Sequence, residues 1–428
     1  MRRLPFALSL ALLLPAASGA AAPKPLSPDL AAFYVDLHQH PELSLHEEKT
    51  AAKIAERLRQ AGFTVTTGVG GTGVVGVLQN GPGPTVMLRT ELDALPVEEK
   101  TGLPYASTVR VKDDAGNEVP VMHACGHDVH MTALVGTAAE MAKQKAHWHG
   151  TLILIGQPAE ERIRGAKAML ADGLFTRFPK PDFVVALHDS PQLAAGQLGV
   201  TSGYTLASSD SVDLTIYGRG GHGAAPQTTV DPIVIAARTV LALQTIVARE
   251  TNPADPAVVT VGSIHGGNKH NIIPDEVKLQ ITVRSYKEEV RKHVLAAIER
   301  IAKAEALAAG APKEPSVAVI ESCPATYNDP KLTARIATTL RHTFGDANVV
   351  EVPAQMASED FSEYGKAGVP AVTFELGAAF ADKLKEAEAA GKPLPSLHSS
   401  LFAPDRDPTI ETGVEAEVAV LLDLLGKR

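Results

Sequence analysis

Cysteine, basic clusters and long apolar runs are scarce in this chain. It has two cysteines in 428 residues and a formal net charge of −9. An acidic chain without a dense basic patch is a poor candidate for nucleic-acid binding. Beyond the N-terminus no stretch approaches the length of a membrane span, so we expect a soluble mature protein with no membrane partner. Cys125 and Cys323 lie far apart in sequence, so a disulfide between them competes with a metal-binding role for Cys125.

The N-terminus has the layout of a secretory signal. Arg2 and Arg3 form a positive segment, Leu4 to Pro15 an apolar run, and residues 16–22 a cleavage zone of small side chains. This run is too short to span a membrane. We therefore expect residues 1–22 to be removed and the protein to be exported, to the periplasm or the medium.

The rest of the chain is longer than a single hydrophobic core usually supports, so we expect two domains. With 45% hydrophobic and only 4% aromatic residues, and strands alternating with helices, the chain is typical of an α/β fold with a mixed sheet. Several strands end in polar residues: one leads into Glu91 and Asp93, another into Glu160 and Glu161, a third into His188. Ligands bind outside the carboxyl ends of strands in open α/β sheets, so we expect these side chains to share one edge.

The segment 207–322 has a different pattern. Its order of strands and helices is β-α-β-β-α-β, which is the ferredoxin-like split arrangement. We predict an inserted α+β lid domain over 207–322, with the catalytic domain divided between 23–206 and 323–428.

The richest local cluster of possible metal ligands is the segment Met122–His130. It contains three histidines, a thiol and a carboxylate, and these groups suit zinc and neighbouring divalent metals. Gly126 allows a backbone turn through which Cys125 and His127 converge. The alternative is a lone buried cysteine beside solvated histidines, and the rest of the chain has to decide between the two.

Further candidate ligands follow along the chain. Glu160 and Glu161 are adjacent after a strand, so one carboxylate can bind a metal while the other takes a proton from an attacking water. Their alternative role is an acidic helix start. His188 at a strand end and the late His398, together with Cys125, His127 and Glu161, supply enough ligands for two metal ions.

The predicted lid domain carries groups suited to contacting a substrate. His222 lies in a glycine-rich segment at a strand end, where an exposed contact is favoured over core packing. Asn271 and Arg284 offer an amide and a guanidinium that can bind a carboxylate or a developing oxyanion. The alternative for His222 is an incidental residue of a glycine-rich turn.

Taken together and in order, these motifs resemble the hippurate hydrolase and N-acyl-amino-acid amidohydrolase group of the aminoacylase and carboxypeptidase-G-like dinuclear metallopeptidases. The resemblance runs from about residue 30 to the C-terminus. The motifs that carry it are Leu88–Pro96, His123–Asp128, Gln157–Glu161, Gly220–His222, Asn271–Pro274, Ala357–Phe361 and Leu397–His398.

The resemblance implies a role for each candidate residue. The ligands of two divalent metals (Zn, Mn, Ni or Co) would be Cys125, His127, Glu161, His188 and His398. Glu160 would be the general base, with His222, often acting across a dimer interface in relatives, stabilising the oxyanion. Asn271 and Arg284 would hold the substrate's carboxylate or acyl oxygen, and His123 and His130 would support the site.

The resemblance also implies a fold and an assembly. The fold would be a metal-binding α/β/α catalytic domain interrupted by a ferredoxin-like lid, and the assembly a homodimer. Relatives usually have Asp where Glu91 stands, so the roles of Glu91 and of Asp93, which we count among the catalytic residues, remain open.

We expect an exported, metal-dependent amidohydrolase that cleaves N-acyl amino acids of the hippurate or N-acetyl type. One alternative is a dipeptidase or carboxypeptidase that uses the same site on short peptides. Another is an exported protein that binds acyl amino acids or metal without turnover. The base Glu160 argues against that last alternative, since binding alone needs no base.

Overall fold

The computed structural model describes residues 25–426, so the predicted signal segment lies outside the described residues. The elements of the first part of the chain are α1 (Pro28–Gln39), α2 (Glu48–Gln60), β1 (Thr64–Val69), β2 (Gly73–Asn80), β3 (Thr85–Glu91), β4 (Arg110–Lys112), β5 (Glu118–Pro120), α3 (His127–Lys143), β6 (Gly150–Gln157), α4 (Gly165–Ala171), α5 (Leu174–Arg177), β7 (Phe183–Ala194), β8 (Leu198–Val200) and β9 (Gly203–Leu206).

The middle and last parts follow in the same numbering. The middle part contains β10 (Ser208–Tyr217), β11 (Gly221–His222), α6 (Pro232–Thr245), β12 (Ala257–His265), β13 (Ile272–Ile273), β14 (Glu276–Ser285), α7 (Glu288–Ala308) and β15 (Ser316–Cys323). The last part contains β16 (Thr326–Asn328), α8 (Pro330–Phe344), β17 (Val349–Glu351), α9 (Ser362–Lys366), β18 (Ala371–Ala379), α10 (Ala381–Ala390) and α11 (Arg406–Leu425).

The larger sheet has eight strands in the order β1-β2-β6-β3-β7-β18-β8-β17. It is mixed, because β3, β6, β7 and β18 run parallel while β2 pairs antiparallel with β6 and β8 with β18. Both faces are covered. Along β3, Val86 and Leu88 join the apolar cluster formed with α1, α2, α3 and α11, while Met87 between them joins the cluster on the opposite face. This period of two explains why the strand is apolar at every position from 86 to 88.

The second sheet has four strands in the order β12-β14-β10-β15, all antiparallel. It has its own apolar core, in which Leu214 and Leu279 of the sheet pack with Ile235 of α6 and Ile298 of α7. The predicted fold class, an α/β mixed-sheet domain with a ferredoxin-like α+β lid, is therefore confirmed. The division of the chain at 206/207 and 322/323 stays a prediction.

Helix α6 continues into a π-helical turn, Ile246–Glu250. The combined segment Pro232–Glu250 is long and apolar enough to cross a membrane by length and composition alone, so the expectation that no stretch beyond the N-terminus approaches that length is wrong here. One side of the helix packs in the lid core through Ile235 and Leu243. The other side leaves Leu241 73% exposed, which marks an uncovered apolar surface on the lid.

Candidate metal centre

The turn between Cys125 and His127 depends on Gly126. Its φ is +78°, and a Cβ added there would lie 2.4 Å from Asp189 Oδ2. A side chain would thus both strain the backbone and collide with a buried carboxylate. The turn brings the Cys125 and His127 ligand atoms to within 4.8 Å of each other and of a Glu161 oxygen. The convergence expected from the glycine is present.

Helix α3 begins at His127, and the hydrogen bonds of this residue fix which ring nitrogen is free. Nδ1 lies 2.8 Å from the Asp93 carbonyl oxygen, which can only accept, so Nδ1 carries the hydrogen. Nε2 is buried without a hydrogen-bond partner among the described residues, 3.9 Å from Glu160 Oε2 and 4.0 Å from Glu161 Oε1. Such a nitrogen fits a metal ligand, because its lone pair has no partner in the protein while the hydrogen bond at Nδ1 fixes the orientation of the ring.

The neighbouring carboxylates affect the proton on His127. Burial lowers the pKa of His127, but hydrogen bonding to Asp93 and the charges of Glu91 and Asp93 outweigh it and raise the pKa to about 9. A metal bound at Nε2 would therefore displace a proton at neutral pH.

Glu160 and Glu161 follow the end of β6 in an unusual backbone segment. Ala159 and Ile163 on either side have φ of +48° and +52°, which are strained values for residues with a Cβ. The Ala159 N–H donates to Glu47 Oε1 at 2.8 Å, and the Glu161 N–H donates to Asp93 Oδ2 at 3.0 Å. These bonds hold both acid side chains toward the cavity.

The surroundings of Glu160 and Glu161 disfavour the ionised forms of these side chains. Burial, followed by the charges of Glu359 and Glu161, raises the pKa of Glu160 well above its usual range. Glu161 Oε1 is buried and has no hydrogen-bond partner among the described residues. Buried carboxylates this close to one another fit a site that binds cations.

His188 and His398 approach Cys125 from two other elements. His188 Nε2 lies 3.6 Å from Cys125 Sγ, and His398 Nε2 lies 3.3 Å from the same sulfur. His398 also reaches to 3.5 Å from Glu161 Oε1. Its φ of +65° is again strained, which is typical of a residue positioned for function.

The structure thus brings five predicted ligands and the predicted base together. All but one of them line a cavity of about 480 Å³, and the exception, His127, lies buried beside it. The ligand set of one thiol, three imidazoles and one carboxylate fits divalent metals such as zinc.

Asp93 is placed differently from the prediction. Its carboxylate is fully buried and accepts hydrogen bonds from Ser44 Oγ at 2.7 Å and from the Glu161 N–H. Asp93 contacts the His127 ring through its main-chain oxygen and the Glu161 N–H through its carboxylate, and it does not line the cavity. This geometry fits a positioning role, and the predicted catalytic role stays a prediction.

The lid residues are divided between two locations. Arg284 lines the cavity, and its Nη1 donates to Ser358 Oγ at 2.7 Å. His222 is exposed on β11, where its Nδ1 accepts from the Ala224 N–H at 3.0 Å, and Asn271 is exposed near it. Within the described part of one chain, His222 and Asn271 are not brought to the cavity.

Sequence reasoning missed a buried charge network behind the site. Arg89 of β3 is 1% exposed and donates to Glu91, Gln157, Glu359 and Asp360. A cation and a carboxylate at the end of an otherwise apolar strand are the signal that could have indicated it. The remote partners, more than 200 residues away in sequence, could not be found that way.

Glu91 and His130 form a second group of possible ligands with His127 and His188. However, His130 Nδ1 lies 2.9 Å from Glu91 Oε2, and His130 Nε2 accepts from the Asp189 N–H at 2.9 Å. Both ring nitrogens are therefore engaged by the protein, which favours a supporting position for His130.

The fold and the site together define a metallohydrolase class: an α/β sheet with a lid, in which strands, turns and a helix start bring a thiol, imidazole and carboxylate ligand set together beside an additional carboxylate. Residues 87–389 match Peptidase family M20/M25/M40. The chain belongs to this family, and the predicted resemblance and the predicted hydrolase class are confirmed.

Named relatives give the same result. The chain is 38% identical over 327 residues to a hippurate hydrolase from Campylobacter jejuni subsp. jejuni, covering 76% of this chain and 82% of the relative. It is 37% identical over 376 residues to thermostable carboxypeptidase 1 from Saccharolobus solfataricus, covering 87% and 89%. Among solved structures, the Bacillus subtilis YXEP protein, described as a dinuclear metal binding peptidase, is similar with a TM-score of 0.73 and 28% identity over 92% of this chain and 97% of that one.

Proposed function

We propose that this protein hydrolyses the amide bond of N-acyl amino acids in a reaction that depends on two divalent metal ions. The observation that carries the proposal is the convergence of Cys125, Glu161, His188 and His398 with the unpaired Nε2 of His127, beside Glu160. The name of the hippurate hydrolase relative supports the substrate class.

The chain's own residues have distinct tasks in this proposal. When bound, the metals lower the pKa of water and polarise the scissile carbonyl. Glu160 accepts the proton of the attacking water and returns it to the leaving amine. Arg284, partly buried beside Ser358, binds the carboxylate of the amino acid through its guanidinium.

The predicted oxyanion donor, His222, does not line the cavity in the described part of one chain. We propose that the protein is a homodimer and that His222, with Asn271 near it, enters the cavity of the partner copy. The apolar surface of α6 supports this proposal, since Val234 is 55% and Leu241 73% exposed there. Exposed apolar surface of this kind favours association with another protein surface.

The second candidate function is cleavage of short peptides at the same site, which is favoured by the 37% identity to a carboxypeptidase. We also propose that the protein is exported, on the basis of residues 1–22 alone. Detection of a mature N-terminus near residue 23 in a periplasmic or secreted fraction would support export, and an intact N-terminus in the cytoplasm would contradict it.

The test of the proposed function combines turnover with metal analysis. The purified protein, loaded with zinc, manganese, cobalt or nickel in turn, is assayed on hippurate, N-acetyl amino acids and dipeptides. We expect Glu160→Gln to lower kcat by about 10³-fold, the range of general acid–base catalysis, with metal content unchanged. Retained activity in that variant, or a wild-type protein that binds none of these metals, would overturn the proposal.

A further inference from the structure

A carboxylate without a charged partner lies in the wall of the cavity, at Glu375. This residue is in β18, where it pairs in parallel register with His188 of β7. Residues in register on neighbouring strands share a face of the sheet, so Glu375 lies on the same side as the proposed metal ligand. Both residues line the cavity.

The neighbouring strand leaves room for this side chain. Gly199 of β8 pairs with Glu375, and a Cβ at Gly199 would lie 3.0 Å from the Glu375 Cβ. This is tighter than ordinary van der Waals contact, so a larger residue at 199 would displace the acid from its position.

Two neutral groups hold the carboxylate. Gln355 Nε2 donates to Glu375 Oε1 at 2.9 Å. Burial raises the pKa of Glu375, against hydrogen bonds from Ser190 and Gln355 that lower it. Among the ion pairs of residues 25–426, none involves Glu375. A carboxylate has about four acceptor positions, so about half of its capacity is left for another donor.

The opposite charge in the cavity comes from the lid. Arg284 is held by Ser358, and Glu375 is held by Gln355, so one short segment, 355–358, contacts both charged side chains. The cavity therefore offers a cation for a carboxylate and, separately, an anion for a cation. An N-acyl amino acid without an amino group has only its carboxylate to offer and therefore uses only the first of these groups.

We propose that Glu375 binds an ammonium group of the substrate, so that this enzyme prefers amides of amino acids that carry a free amino group. The inference rests on the proposed function and names the substrate class within it. The ammonium has two possible sources: the α-amino group of a dipeptide, or the side chain of an N-acylated diamino acid.

The experiment compares three substrates that share the amide bond but differ in the ammonium. N-acetyl-leucine has no ammonium group. Glycyl-leucine has an ammonium group in its acyl half, and Nα-acetyl-lysine has one in its amino-acid side chain. The readout is the ratio of kcat/KM for each charged substrate to that for N-acetyl-leucine, measured in the wild type and in Glu375→Gln, which is nearly isosteric and uncharged.

We expect Glu375→Gln to lower one of these ratios by about 10- to 100-fold, because a charge-assisted hydrogen bond is replaced by a neutral one. The ratio that falls identifies the source of the ammonium. The control, Glu351→Gln, removes an exposed acid from β17 of the same sheet and should keep the wild-type ratios. Unchanged ratios in Glu375→Gln would overturn the inference.

The outcome is separable from failure of the proposed function. Hydrolysis of N-acetyl-leucine by the wild type and not by Glu160→Gln tests that function without involving Glu375. If no substrate is turned over, the proposed function fails, and calorimetric Kd values for the three compounds test Glu375 without turnover. Tighter binding of a charged compound that Glu375→Gln abolishes would support the ammonium site, and equal binding would overturn it.

Discussion

At the scale of single residues, the hydrogen bonds of the histidines decide which of them is free to bind a metal. His127 and His188 each place Nδ1 against a main-chain carbonyl, at 2.8 and 3.0 Å, and so leave Nε2 with a lone pair facing the cavity. His130 has both nitrogens engaged. Three neighbouring histidines therefore have different chemistry, since a metal ligand needs one nitrogen held by the protein and the other unpaired.

Glu417 of α11 allows a pH-dependent test of a buried acid away from the cavity. Its Oε2 accepts a hydrogen bond from Thr137 Oγ1 at 2.7 Å, and burial raises its pKa from 4.5 to about 8. Because the folded protein then holds a proton that the unfolded chain releases, stability falls as the pH rises from about 4.5 to about 8.

Glu417→Gln removes this titration. We expect the free energy of unfolding of the variant, relative to the wild type, to increase by on the order of 3 kcal/mol between pH 4.5 and pH 8. Denaturant unfolding at several pH values measures it. Glu415→Gln, on the exposed side of the same helix, is the control. A difference between the Glu417 variant and the wild type that does not change with pH would contradict the prediction.

At the scale of elements, the sequence predicts the strand ends better than the network behind them. The alternation of strands and helices correctly indicates that Glu91 ends β3 and that Glu160 and Glu161 follow β6, whereas His188, predicted at a strand end, lies inside β7. Helix α10 has no buried residue, so it contributes nothing to either apolar core. Arg89 could not be assigned partners, because Glu359 and Asp360 come from a loop 270 residues away that only the folded sheet brings alongside.

The turn at the start of α3 can be tested with a matched pair of glycines. Gly126 and Gly62 have similar φ values of +78° and +85°, but a Cβ at Gly62 meets nothing within 4 Å, whereas at Gly126 it meets Asp189. Gly62→Ala should therefore cost about 1 kcal/mol, the strain of a left-handed alanine alone.

Gly126→Ala adds the collision to this strain. We expect a loss of stability larger by on the order of 2 kcal/mol and a lower metal content, since the turn positions both Cys125 and His127. Thermal unfolding and metal analysis of the two variants measure this. Equal losses in both would show that the backbone conformation alone matters at Gly126.

At the scale of the whole molecule, the cavity is assembled from parts that no single segment contains. The larger sheet, with the turns and helix start beside it, supplies the proposed ligands and the base, and the lid supplies Arg284 from β14. The sequence indicates both parts and the residues in each. It does not indicate which lid residues reach the cavity of their own chain, because that depends on how the lid is placed over the sheet. His222 and Asn271 remain outside it.

Mixing two inactive variants tests whether His222 acts in the partner copy. Glu160→Gln removes the base and His222→Ala the proposed oxyanion donor, and each homodimer should be nearly inactive. If His222 acts across the interface, a mixed dimer contains one site with Glu160 from one chain and His222 from the other. A one-to-one mixture that exchanges subunits should then regain about a quarter of wild-type activity, since half of the dimers are mixed and each has one intact site. If His222 serves its own chain, every site in the mixed dimer lacks one group, and the mixture stays as inactive as its components.

Size-exclusion chromatography with light scattering establishes that dimers are present. Activity recovered only after subunit exchange would distinguish the dimer mechanism from contamination, and a monomeric protein with full activity would exclude it.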